Sequence, residues 1–175
     1  MPNILIALFT SLALAWPASS TPQQEATPLK DIGDLLVGEW TGEGTWAADY
    51  PGFGKKGERF TSTETCRWLA GQAAFGCEGT AGGSTWMFLY WWDAAAEQIK
   101  TVGVNSGGNH DEGTIEKQGA KLVWESSGSF ADGQRVQYKG ETIFEDNGNT
   151  KINVGATILD GVRNEFRDVY RRAGN

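Results

Sequence analysis

Beyond residue 37 the chain alternates hydrophobic and polar positions in short runs, separated by glycines and Asp/Asn turns. Thr, Val, Ile and aromatic residues dominate the runs, as expected of pleated strands. Gly119, Asp132-Gly133, Asn147-Gly148 and Asp160-Gly161 fall between them. Such pairs favour the positive φ angles of tight hairpin turns. The pattern predicts strands at 38–48, 58–68, 73–80, 84–92, 97–105, 111–118, 120–128, 134–145, 149–158 and 163–172. Before them, Leu29, Ile32, Leu35 and Leu36 sit at helical spacing, with Pro28 suited to a first turn and Gly38 to a stop. This predicts one short helix over 28–37. No long helical pattern lies between strands, so parallel crossover units are excluded. The fold expected is all-β: an antiparallel up-and-down barrel of about ten strands with one short N-terminal helix.

Alternation assigns faces. In the first strand Trp40, Gly42, Gly44 and Trp46 share one face; in 134–145 Val136, Tyr138, Gly140, Thr142 and Phe144 do. The run 84–92 (STWMFLYWW) is apolar on both faces. One face then points inward, and the other is either covered, by the N-terminal helix or a partner chain, or exposed as a patch.

The N-terminus reads differently. Residues 4–16 are apolar except for Thr10 and Ser11, and small residues follow. That is the order of a secretory signal, too short to span a bilayer comfortably. We expect a signal peptide over 1–20, cleaved between residues 15 and 21, a polar linker over 21–27, and one domain over 28–175. The mature protein is expected to be exported, periplasmic or secreted, without stable membrane insertion. The cysteines, Cys66 and Cys77, lie symmetrically about a turn at 70–73. Directly opposed on adjacent strands they come within disulfide reach, and an exported chain with an even cysteine count favours a bridge. The other reading is two buried thiols.

Composition narrows the function classes. The 175 residues carry 15 Lys plus Arg against 22 Asp plus Glu, a net charge of -7, which argues against nucleic acid as a partner. Eight Trp and eight Phe argue against disorder. No Gly-x-Ser-x-Gly elbow or phosphate-cradling glycine loop is present. The single histidine lies beside Asp111 and Glu112, but neighbouring strand residues point to opposite faces, so His110 reads as an exposed hairpin residue rather than a metal ligand. No metal or cofactor is expected. Glu64 and Glu78, on neighbouring strands, are the candidate pair of interior carboxylates.

The most specific feature joins the two ends of the domain. Gly38-Glu39-Trp40 opens the first strand after a helix, and Arg171-Arg172 closes the last. Trp stacked on Arg is a cation–π contact worth ~0.5–2 kcal/mol, a structural closure of the barrel base. Gly38, Trp40 and Arg171 are taken as its parts. At these residues the chain resembles the calycin superfamily of lipocalin-like barrels, whose hallmark is a short helix, Gly-x-Trp on the first strand and a basic residue on the last. More closely it resembles an uncharacterised bacterial lipocalin-like family, through residues 35–44, Glu64-x-x-Arg67-Trp68-Leu69-x-Gly71, Tyr90-x-x-Asp93 and 169–172. That resemblance covers about residues 35 to 172 and implies no catalytic residue. More distantly the opening, with Tyr50-Pro51, is similar to the haem-binding nitrobindins. Their iron ligand is a histidine near the last strand, and 162–172 contains none.

A barrel of this strand count can hold one apolar ligand. The expected function is therefore binding of a small hydrophobic molecule, with Trp68, Trp86, Tyr90, Trp124 and Phe144 as ligand-contacting rings. The alternatives are a barrel whose core these rings simply fill, an interaction protein using the two-faced strand 84–92 as monomer or homodimer, and a small-molecule enzyme or a haem-binding barrel with Tyr170 or Met87 as the iron ligand. Catalysis gains weight only if buried acids face a cavity.

Overall fold

The structure, a computed structural model, describes residues 28–174. The expected signal and linker lie outside the described residues. One helix, α1 (Pro28–Leu36), precedes ten strands: β1 (Gly38–Thr45), β2 (Arg59–Leu69), β3 (Ala74–Ala81), β4 (Ser84–Asp93), β5 (Gln98–Asn105), β6 (His110–Gln118), β7 (Lys121–Ser129), β8 (Arg135–Glu145), β9 (Thr150–Leu159) and β10 (Val162–Arg172). Each strand pairs antiparallel with its neighbours in sequence, and β1 pairs with β10, so the sheet closes on itself. This is the up-and-down barrel the alternation predicts. The turns form for the expected reason: Asp160 and Gly161 hold φ of 48° and 81° between β9 and β10.

The expected strands match these within one residue except at the end of the first. It stops at Thr45, and residues 46–58 fold back over one mouth of the barrel. Trp46 stacks on Phe60 with centroids 4.2 Å apart and meets Tyr50 and Phe53. The Tyr50 hydroxyl hydrogen-bonds Thr157, and the Ser84 hydroxyl donates to the Gly52 carbonyl.

Helix α1 closes the other end from inside. Leu29, Ile32 and Leu36 are buried in one cluster with Phe75, Ile99, Ile115 and Leu122, and Trp68, Trp92 and Phe144 pack against it. The helix thus plugs the barrel and does not cover the outer face of β4. That face carries Met87, 50% exposed, directly paired with Val104, 48% exposed.

Cys66 and Cys77 are register partners on β2 and β3 and form the disulfide, with Cα atoms 4.0 Å apart on the interior face.

Barrel closure rests on Trp40. Its indole N–H donates to the Leu36 carbonyl at 2.8 Å, joining strand to helix. The arginine over its ring is Arg172, at 4.3 Å, and not Arg171. Arg172 shares the inward face with Tyr170, because alternate residues share a face. Its guanidinium also donates to the carbonyls of Leu35, Val37 and Gly148. Gly38 permits this: its φ is 136°, and a Cβ there would collide with the guanidinium. Arg171 points outward, 65% exposed, 3.9 Å from Glu43.

Arg172→Ala removes three donors and a cation–π contact, so it is expected to lower unfolding free energy by about 3 kcal/mol. Arg171→Ala is expected to change it by less than about 0.5 kcal/mol. Urea denaturation of the two variants checks this; equal losses would contradict the assignment.

Candidate functional site

Between the α1 plug and the 46–58 segment the barrel is hollow, with a cavity of about 340 Å³. Trp86, Phe88 and Tyr90 of β4, Trp124 of β7, Phe166 of β10 and Phe60 of β2 supply its rings. Glycines make room for them. An added Cβ at Gly79, Gly103, Gly140 or Gly42 would strike the ring of Trp86, Phe88, Trp124 or Tyr170 respectively. Each of these rings thus sits over bare backbone, and Trp124 of β7 also stacks on Phe166 of β10 across the interior, with centroids 6.1 Å apart.

Of the rings expected to contact ligand, Trp86, Tyr90 and Trp124 line this cavity. Trp68 and Phe144 are not part of that lining; all five rings pack against the core around α1. Alternation gives the face of a side chain but not its height along the barrel axis, and the staggered register sets that height.

The polar side chains of the cavity were less legible. Glu64 points inward but Glu78 points outward to Arg67 at 2.6 Å, so they form no carboxylate pair. Glu64 instead pairs with Lys151 of β9, whose side chain is 3% exposed. The Lys151 ammonium also lies 4.7 Å from the ring centroids of both Trp40 and Tyr170. Burial lowers its pKa, while the charge of Glu64 and the hydrogen bond to it oppose that shift. Together Lys151 and Arg172 flank Trp40 with two cations.

Two more acids face inward. Asp111 of β6 lines the cavity, and burial raises its pKa against the pull of a Ser126 hydrogen bond and of His110. Its neighbours His110 and Glu112 are exposed, so the three do not converge on an ion. Asp168 of β10 also lines the cavity. Its Oδ1 is buried with no hydrogen-bond partner among the described residues. It fits over Gly44, where a Cβ would collide with it and with the edge of Phe60. Burial pushes its pKa up to about 7. The titratable groups that feel its charge are Tyr170 on its own strand and Tyr50 from the 46–58 segment. Burial raises both phenols from their ordinary range, so they stay neutral.

The β10 alternation carried the missed signal. With Phe166 and Tyr170 inside, Asp168 must also be inside. In β9 the signal was reversed. Its apolar set, Ile152, Val154, Ala156 and Ile158, alternates with the cavity-lining Lys151, Asn153 and Thr157. Ala156 is fully buried on that other face, flanked in register by Lys139 and Glu165. Their aliphatic stems can cover apolar surface while their charges stay wet.

Glu64, Cys66 and Cys77 place potential ligand atoms within 4.8 Å of one another. Both sulfurs are committed to the disulfide, so no thiolate is available to hold a metal. Protein-family models and curated proteins return no match to the chain.

Lys151→Met leaves Glu64 buried without its cation and is expected to cost about 3–5 kcal/mol. Adding Glu64→Leu is expected to restore much of that loss, because the stranded charge is gone. Urea unfolding of the single and double variants measures both; a double variant no better than Lys151→Met would contradict the pairing. For Asp168 the folded pKa lies above the unfolded one. The folded state therefore holds the extra proton, and stability falls as pH rises from about 4 through about 7. Asp168→Asn cannot ionise. It is expected to be more stable than the parent at about pH 8, with the advantage gone by about pH 4. Unfolding curves at the two pH values decide it, and a pH-independent difference would contradict it.

Proposed function

We propose that the chain is an exported, lipocalin-like barrel that binds one small, largely hydrophobic molecule. The observation that carries this reading is the hollow in the barrel: about 340 Å³ walled by rings seated over glycines. What supports export is the signal-like segment over 1–20 together with the Cys66–Cys77 bridge. No described helix is long and apolar enough to cross a membrane. What supports the calycin likeness is the plug helix followed by Gly38, Trp40 and the stacked arginine on the last strand.

A second reading is favoured by one observation. Asp111 and Asp168 are half-buried, cavity-facing acids of the kind under which catalysis gains weight. They stand on β6 and β10, separated by three strands one way round the barrel and five the other. Burial, and not the charge of the other acid, raises each of them. Recovery of a bound ligand chemically unchanged after prolonged incubation separates a carrier from an enzyme.

The binding reading predicts saturable quenching or enhancement of Trp emission on titration with a neutral apolar fluorophore such as N-phenyl-1-naphthylamine. Ser126→Phe puts a ring into the cavity. It is expected to weaken binding by about tenfold or more, the loss of roughly 1.4 kcal/mol, with far-UV circular dichroism unchanged. No saturable change in the parent protein would contradict the reading.

A further inference from the structure

We propose that the molecule held in the barrel is an organic amine, bound as its ammonium to the Asp168 carboxylate with its apolar body against the ring wall. The inference deepens the ligand-binding reading and rests on it.

Three observations converge on that chemistry. The first is the unsatisfied acceptor. Asp168 lines the cavity, and its Oδ1 has no hydrogen-bond partner among the described residues. Oδ1 itself is packed against Gly44 and Phe60; a buried carboxyl without a donor is costly, and a donor that the ligand brings to this carboxyl offsets that cost. Charge assistance makes an N–H⁺ donor about twice as strong as a neutral one.

The second is the balance of charge inside. Among the described residues lining the cavity the sole cation is Lys151, and it is committed to Glu64. Asp111 has His110 and the Ser126 hydroxyl beside it, which leaves Asp168 as the acid shifted by burial alone. An anionic ligand, such as a fatty acid, would meet these carboxyl groups and no free positive charge. The whole chain, at -7, repels it further and attracts a cation.

The third is the wall. Tyr50, Tyr138, Phe60 and Phe166 present rings to the same space. Ring faces carry negative potential and favour a cation over a neutral group of equal size. The barrel already uses this contact where Lys151 lies over Trp40 and Tyr170 and Arg172 over Trp40. The geometry is thus selective as well as roomy: rings for an apolar body, and one unpaired acid for its charged end.

The test compares two probes of one shape, 2-(1-naphthyl)ethylamine and 2-(1-naphthyl)ethanol, by calorimetric titration at about pH 8. There the amine is charged, and Asp168, with its pKa of about 7, is ionised. The amine is expected to bind roughly ten- to a hundred-fold more tightly than the alcohol. Asp168→Asn is expected to abolish that difference and leave the alcohol's affinity within about threefold, since neither probe's apolar contacts change. Asp168→Glu, which keeps the charge, is expected to retain a preference for the amine. Equal affinities in the parent protein, or a preference that survives in Asp168→Asn, would overturn the amine inference and leave the apolar binding reading standing. Failure of both probes and of the neutral fluorophore would overturn both.

Discussion

The Trp40 indole, against which two cations pack, is the contact on which the rest of the barrel depends. Arg172 lies 4.3 Å from its ring and Lys151 4.7 Å, and its N–H reaches back to the helix. The β1–β10 seam is short, with only four register pairs between Trp40 and Val169, against ten between β9 and β10. A seam that short closes a sheet weakly on backbone hydrogen bonds alone. Trp40 brings β1, β9, β10 and α1 to one point, and Lys151 extends the group to Glu64 on β2. The interior of this base is consequently ionic, and its charges are tolerable because each one is paired or stacked.

Closure at the base decides where the cavity lies. The Arg172 guanidinium fixes the carbonyls at the end of α1, and the helix then projects its leucines into the lumen as a plug. Everything below that plug is packed core. Above it, β1, β3, β5 and β8 each place a glycine on the interior face, at Gly42, Gly79, Gly103 and Gly140, and a ring from an adjacent strand lies over each. A plugged base and a glycine-backed wall leave a hollow that the 46–58 segment partly covers. The same arrangement explains the acid in the wall: Gly44 leaves a slot that a carboxylate occupies without a partner.

Much of this was legible in the chain. Strand runs broken by Asp-Gly and Asn-Gly turns gave the barrel, and the symmetric cysteines gave the bridge. The Trp–Arg closure was legible as chemistry but not as a residue: adjacent arginines differ only in which face they occupy, and Tyr170 inside makes the partner Arg172. Trp68 and Phe144 differ from Trp86 and Trp124 in height along the axis, which depends on stagger between strands and not on alternation within one. The inward acids and Lys151 were hidden for a further reason. The hydrophobic pattern of β9 places its aliphatic residues outward, where neighbouring charged stems cover them, so polarity alone pointed the wrong way.

The central claim is that half of this barrel is hollow and accessible to a guest. Xenon-129 NMR tests it directly, because xenon partitions into apolar cavities of this kind without needing a particular ligand. The account requires a protein-dependent, saturable xenon shift in the parent chain that Ser126→Phe removes. A shift identical in both proteins, and no larger than surface contact produces, would show that the rings fill the barrel and would contradict the account.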